Sequence, residues 1–223
     1  MRRKREMSQR PDDRVSKQVC ASLLKNGMAA LWAADRAKAL DGAVALIKPG
    51  DRIGVGGSVT LEEIGLMEVL RHGRVPQGTF TFYDQYRTDI PREEALSLRH
   101  KSLESDLFFS GANAITLAGE LVNMDGYGNR VAALAFGPGR VCLIAGTNKI
   151  VPDIPAALAR IKTIAAPRNC RRLNRLTPCH ETGRCNDAMC KAPERICNVY
   201  SVIRRQPGGN RISVILVGEE LGY

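Results

Sequence analysis

The 223-residue sequence predicts an α/β protein built on a mostly parallel or mixed sheet. Three observations carry this expectation. A short apolar strand, Arg52–Val55, runs directly into Gly56-Gly57-Ser58 and then into a stretch whose Leu61, Ile64, Met67 and Leu70 form a helical apolar stripe. Apolar runs of strand length follow one another closely between residues 106 and 145. The chain then returns at residues 211–217 with RISVILV, a strong final strand.

Taken in order, residues 1–18 read as a disordered basic arm without apolar periodicity, and the domain proper spans residues 19–223. Residues 19–46 read as one or two helices, with Leu23, Leu24, Met28, Leu31 and Trp32 near helical spacing. After the first strand, Thr60 and Glu63 have the spacing of a capping box. Residues 79–83 suggest a second strand. Pro91 opens a further helix with Glu93 and Glu94 in its first turn. Strands are expected at residues 106–110, 114–118, 120–124, 131–136 and 141–145, with DGYGN at 125–129 as a hairpin turn. A helix over 153–164 is expected to stop at Pro167. Residues 169–198 are rich in cysteine and poor in apolar pattern, an insertion before the last strand.

Charge is unevenly placed. Lys and Arg outnumber Asp and Glu by 33 to 23, but residues 1–18 hold seven bases and three acids, and residues 167–205 hold nine and three. The remaining body is neutral, and with one Trp, five Tyr and five Phe it has few rings to stack on bases. Specific nucleic-acid binding is therefore not expected. No apolar run suits a membrane span, and the basic start leads into polar sequence rather than a signal core. A cytoplasmic protein is expected.

Two constellations point to chemistry. Gly56, Gly57 and Ser58 lie before a helix whose free N–H groups favour an anion, or they form a tight turn without a ligand. The pattern is neither GxGxxG nor a P-loop, so no nicotinamide or flavin fingerprint is evident. Downstream, Glu120, Asn123, Asp125, Asn129 and Lys149 fall at strand ends, where α/β sheets place their sites. Glu120 and Asp125 are candidate catalytic carboxylates for proton abstraction or attack on a carbonyl. Gly56, Gly57, Ser58, Asn123, Asn129 and Lys149 are candidates for binding a small anionic metabolite. The alternatives are ordinary: Asp125 in a turn, Glu120 facing solvent, Lys149 capping a strand.

The third constellation is thiol. Cys179, Cys185, Cys190 and Cys197 follow C-x5-C-x4-C-x6-C, with His180 adjacent and Cys170 nine residues upstream. Thiolates are soft ligands, and these four are candidates for zinc or an iron–sulfur cluster. The alternative is unligated, redox-active thiols among Arg171, Arg172, Arg175, Arg184 and Arg195.

The motifs IGVGGSVT, NAITLAGELVNMDGYGNRVAALAFGP, IAGTNKIV, AAPRN, TPCHETGRC, ERICN and RISVILVGEELGY together resemble the lactate-utilisation (LUD) domain family, in order from about residue 15 to 223. The resemblance covers all but the basic arm. It implies a Rossmann-like three-layer α/β/α fold of the glucosamine-6-phosphate deaminase, ribose-5-phosphate isomerase and CoA-transferase type. It also implies a part in oxidising L-lactate or a related 2-hydroxy acid beside iron–sulfur and flavin-containing subunits. In that fold, ligands lie over the glycine loop and an acidic strand end, here Gly56, Gly57 and Ser58 with Glu120 and Asp125. The tail departs from the family's C-x5-C-x2-C-x6-C, because four residues separate Cys185 and Cys190. Two other classes stay open: a free-standing enzyme on sugar phosphates or acyl-CoA with Glu120 as base or nucleophile, and a cysteine-based metal or redox sensor. Edge strands make a homodimer a further expectation.

Overall fold

The computed structural model describes residues 13–185, 190–209 and 211–223. In chain order the elements are α1 (Asp13–Lys25), β1 (Ala29–Ala33), α2 (Arg36–Val44), β2 (Arg52–Val55), α3 (Val59–Glu63), α4 (Leu66–His72), β3 (Arg74–Val75), β4 (Gly78–Thr79), β5 (Thr81–Phe82) and α5 (Arg92–Ser102). There follow β6 (Leu107–Gly111), β7 (Ala114–Thr116), β8 (Leu121–Asp125), α6 (Asn129–Ala135), β9 (Arg140–Gly146), a 3-10 turn (Thr147–Lys149) and β10 (Ile150–Val151). The chain ends with α7 (Ile154–Arg160), a π turn (Ile161–Ala165), α8 (Ala166–Arg172), α9 (Pro178–Thr182), β11 (Val199–Ile203) and β12 (Ile212–Val217).

Six parallel strands form the main sheet in the order β1-β12-β9-β6-β2-β5. Its central strands alternate between two cores with the period of two that a pleated strand imposes. In β9, Val141, Leu143 and Ala145 enter the core shared with Val19 and Leu23 of α1 and Ala133 and Leu134 of α6; Cys142 and Ile144 enter the core shared with α2, α3 and α4. Helices therefore cover both faces, the three-layer arrangement expected of a parallel sheet. A second sheet, β10-β7-β8-β11, packs Val122 and Met124 against α7 and turns Leu121 toward the main domain. No helix among the described residues is long and apolar enough to cross a membrane.

Several expected elements differ. The expected arm reaches residue 18, but α1 already begins at Asp13; Ser16, Val19 and Leu23 are buried at helical spacing, so residues 13–18 belong to the domain. Residues 1–12 of the arm lie outside the described residues. The one or two helices expected over 19–46 are two, α1 and α2, and the unexpected element between them is β1, an edge strand whose Ala-rich sequence lacks alternation. Residues 131–135 are helix, not strand, with Phe136 its extended cap: Arg130, Val131, Ala133 and Leu134 are buried on one helical face, and DGYGN leads into α6 instead of closing a hairpin. Pro167 does not stop the helix, because the wide π turn before it places the residue in the first turn of α8, where no N–H is required. The capping box also does not form; Ser58 precedes α3, while Thr60 is fully buried and bonded elsewhere. The cysteine segment does precede the last strand, with β11 between them.

Candidate functional site

A cavity of about 560 Å³ opens at the carboxyl ends of the main strands. Its floor comes from the loop after β2 (Gly57, Ser58), the loop after β6 (Gly111 to Asn113) and Lys149 after β9. β2 leads outward to β5, and the chain then returns to place β6 on the other side of β2. The crevice between the two loops is thus a topological switch point, where open α/β sheets bind ligands. The loops nearly touch: a side chain begun at Gly111 would lie 2.5 Å from Ser58 Oγ.

The inner wall is a buried polar network. Arg130, only 8% exposed, donates through Nε to Asp125 Oδ1 at 2.9 Å. Its Nη1 donates to the Gly111 carbonyl and Asn123 Oδ1, and its Nη2 to Asn113 Oδ1 and the Met124 carbonyl. Asp125 Oδ2 accepts from the Val131 N–H at 2.9 Å and so holds the first turn of α6. All five guanidinium hydrogens thus have protein acceptors.

Lys149 stands apart from that network. Its amine is in a residue only 3% exposed, and Nζ donates to Thr60 Oγ1 at 3.1 Å. The Thr60 hydroxyl in turn faces the Leu221 carbonyl at 3.5 Å. Burial first, then the neighbouring Arg160 and Arg130, push the Lys149 pKa down to about 7, against a smaller opposing pull from Glu63. Glu63 itself accepts from the Gly222 N–H at 2.6 Å.

The outer wall is cationic. Arg99, Arg172, Arg175 and Arg195 line it together with Glu194, whose carboxylate accepts from the Leu176 N–H at 2.7 Å. Arg175 Nε is buried and has no hydrogen-bond partner among the described residues. Arg99 donates to Gln85 Oε1 at 2.8 Å and stacks 5.3 Å from the Tyr127 ring centroid. The Tyr86 ring edge closes on Gly57, where an added Cβ would lie 2.8 Å from its hydroxyl. Burial raises the Tyr86 pKa, with Arg99 and Arg130 opposing. A cavity so lined favours an anion.

The structure brings Gly57, Ser58, Asp125, Asn129 and Lys149 together on the cavity. Gly56 lies behind it and leaves room for the Arg130 stem, which an added Cβ would meet at 2.7 Å. Asn123 is fully buried beneath the floor, bonded to Arg130 and the Asn113 N–H. Glu120 is a correction: it does not line the cavity. It precedes β8 at the end opposite Asp125, roughly 16 Å away at the rise of a strand. There it pairs with Arg204 at 3.0 Å and accepts from Thr116 Oγ1 at 3.1 Å, beside the last turn of α1. The helix after the glycine loop is a five-residue turn, too short to supply the expected anion site.

The thiols converge on a second, smaller cavity. Cys170, Cys179, Cys185, Cys190 and Cys197 line about 20 Å³, and Cys179 Sγ lies 3.6 Å from Cys170 Sγ. That spacing is close to the separation of two thiolates on one tetrahedral zinc, about 3.8 Å for Zn–S bonds of about 2.3 Å. Among the described residues, no three metal-ligating side chains are drawn into one ligating group. The donor chemistry thus suits zinc or a cluster, but the space admits one water-sized particle, and a cluster requires these loops to open. Arg195 donates to Cys197 Sγ at 3.2 Å, and Arg195 and Ile196 line both cavities. Asn198 ties the segment to the main site by donating its N–H to the Asp125 carbonyl at 2.9 Å.

Sequence reasoning passed over Arg130, Arg99 and Tyr86, and took Arg172, Arg175 and Arg195 only as neighbours of thiols. The reading of 131–136 as strand hid Arg130. The charge excess over residues 167–205 was the available signal for the outer wall.

A family profile described as LUD domain matches residues 16–217. Among solved structures, the chain is similar to a DUF162 family protein from Deinococcus radiodurans, at 15% identity and TM-score 0.46 over 92% of this chain and 97% of that one. It is similar also to ribose 5 phosphate isomerase A from Neisseria gonorrhoeae, at 12% identity and TM-score 0.32 over 65% and 56%. A further similarity is to eIF2B delta from Chaetomium thermophilum, at 23% identity and TM-score 0.33 over 53% and 49%. No curated protein matches.

Proposed function

The chain belongs to the LUD domain family, and from that membership we propose that it takes part in oxidising L-lactate or a related 2-hydroxy acid to the 2-oxo acid. The observation that carries the reading is the cationic cavity at the switch point, with Lys149 in its floor and arginines on its outer wall. Substrate and product are both small carboxylates, and such a wall favours their charge. The electron pair and protons released from the hydroxyl-bearing carbon pass to iron–sulfur and flavin-containing partner subunits. Deletion of the gene tests this directly. Growth on L-lactate and lactate oxidation in cell extracts should both fall; unchanged rates would refute the role.

The cysteine cavity extends the proposal. Cys179, Cys185, Cys190 and Cys197, with Cys170 beside them, would hold zinc or an iron–sulfur cluster. Zinc would tie the segment to α8, and a cluster would carry electrons. Metal and acid-labile sulfide content of anaerobically purified protein distinguishes the two.

One observation favours a second reading. The cavity volume, about 560 Å³, is far larger than a three-carbon acid needs and suits a sugar phosphate or an acyl-CoA end. Thermal stabilisation by members of those classes, and none by lactate or pyruvate, would move the assignment there.

A further inference from the structure

We propose that the Lys149 amine, seated against Thr60 in the cavity floor, is a nucleophile that condenses with the carbonyl carbon of a 2-oxo acid to form an imine. The substrate class rests on the reading above; the reactivity rests on the geometry of this lysine.

Amines attack carbonyls only when unprotonated, accessible to the ligand and not engaged by a carboxylate. Lys149 meets each condition. It lines the cavity but is only 3% exposed, so a carbonyl held in the cavity meets the amine once the side chain swings a short way out from Thr60. Its amine hydrogen-bonds to a neutral hydroxyl, Thr60 Oγ1, and it forms no salt bridge among the described residues. The charged groups facing it are Arg160 from α7 and Arg130 from α6, which disfavour the ammonium, and Glu63 from α3, whose Oε2 accepts from the Gly222 N–H. Burial and these cations bring its pKa to about 7, so the free amine is well populated near neutrality.

The step balances without an oxidant or reductant. The nitrogen lone pair forms the N–C bond at the carbonyl carbon, the C=O π pair moves to oxygen, and that oxygen takes up one of the two protons of the now positive nitrogen. One further proton from water turns the hydroxyl into a leaving water, and the nitrogen lone pair forms the C=N bond as the C–O bond breaks, leaving the protonated imine and water. The substrate carboxylate stays in the field of the arginine wall formed by Arg99, Arg172, Arg175 and Arg195.

The test is reductive trapping. The full chain is incubated with pyruvate and cyanoborohydride, digested and mapped by mass spectrometry, with L-lactate as the probe lacking a ketone. At pH near 7, the free amine at Lys149 is on the order of a thousandfold more populated than at an ordinary exposed lysine, and the reduced adduct is expected to concentrate there accordingly. Labelling should saturate with pyruvate and be half-maximal near the amine's pKa of about 7. Lys149→Met should remove that adduct, and mapping of the wild-type chain decides the matter even where the variant fails to fold. No adduct, or labelling spread evenly over exposed lysines such as Lys38, overturns the proposal. Trapping failure alongside loss of lactate oxidation on deletion would refute the imine and leave the lactate role standing; trapping at Lys149 with unchanged lactate oxidation would do the reverse.

Discussion

Arg130 and Asp125 form a closed pair beneath the cavity, Nε to Oδ1 at 2.9 Å, with both side chains about nine-tenths buried. The pair joins β6, β8 and α6 through the Gly111 and Met124 carbonyls and the Val131 N–H. Both Asp125 oxygens are thereby occupied, which makes this carboxylate a positioning group for the floor instead of a free base.

Removing one partner should therefore destabilise the fold strongly. Arg130→Met leaves a buried carboxylate with its main counter-ion gone, and a loss of about 3–5 kcal/mol is expected in urea denaturation. A loss below about 1 kcal/mol would mean that the network is dispensable.

Lys149 predicts a pH signature. Folding lowers its pKa to about 7, so between there and the ordinary lysine value near 10.4 the unfolded chain binds more protons. Stability contributed through this group consequently rises with pH across that window, by up to about 1.4 kcal/mol per pH unit, and the cost is fully present below it. Lys149→Met removes the cost. Its stability advantage over wild type should be largest at about pH 6 and should shrink toward about pH 10 in paired urea melts; an advantage independent of pH would show that the folded-state amine titrates normally.

Much of this architecture was legible in the sequence because each signal was local. Strand β2, the glycine loop and the stripe of Leu61 and Leu70 stand close together, and RISVILV alternates between two cores as β12. What escaped was set by tertiary context. β1 is an edge strand carrying AALWA, whose alanines suit a helix equally well. VAALAF reads as a strand until Gly128 and the Asp125 carboxylate start a helix there. The same limit applied to the site: Gly57, Ser58 and Lys149 were found as strand-end residues, whereas the arginine wall meets them only through long-range packing.

The thiols should separate by reactivity. Burial pushes Cys142 up to about 12 and Cys170 to about 11, the latter against an opposing Thr177 hydrogen bond and with a smaller further rise from Cys179. Native alkylation at about pH 8 should spare these two until the chain unfolds, since the thiolate is the nucleophile. The half-buried Cys179, Cys185, Cys190 and Cys197 should label first, and added zinc should slow their labelling. Zinc-independent labelling would argue that these thiols do not share an ion.

Gly111 sets the width of the crevice. The Cβ of Gly111→Ala would lie 2.5 Å from Ser58 Oγ, so the Ser58 hydroxyl must turn away or the glycine loop shift. About 1–3 kcal/mol of stability should be lost by overpacking, together with thermal stabilisation by pyruvate. Retained stabilisation would place the ligand elsewhere in the cavity.

Glu120 supplies the sharpest contrast with the sequence reading, which made it a candidate base or nucleophile. Its side chain is 15% exposed and engaged by Arg204, itself 72% exposed, at the end of β8 remote from Lys149. An ion pair with one partner that exposed contributes little, so Glu120→Gln should cost at most about 1 kcal/mol. The glutamine retains an oxygen for Thr116, and nothing on the cavity wall changes. Pyruvate trapping and lactate oxidation should accordingly match wild type. A large loss of either activity in a variant that melts normally would require the turn between β7 and β8 to reach the ligand, and would return Glu120 to the chemistry.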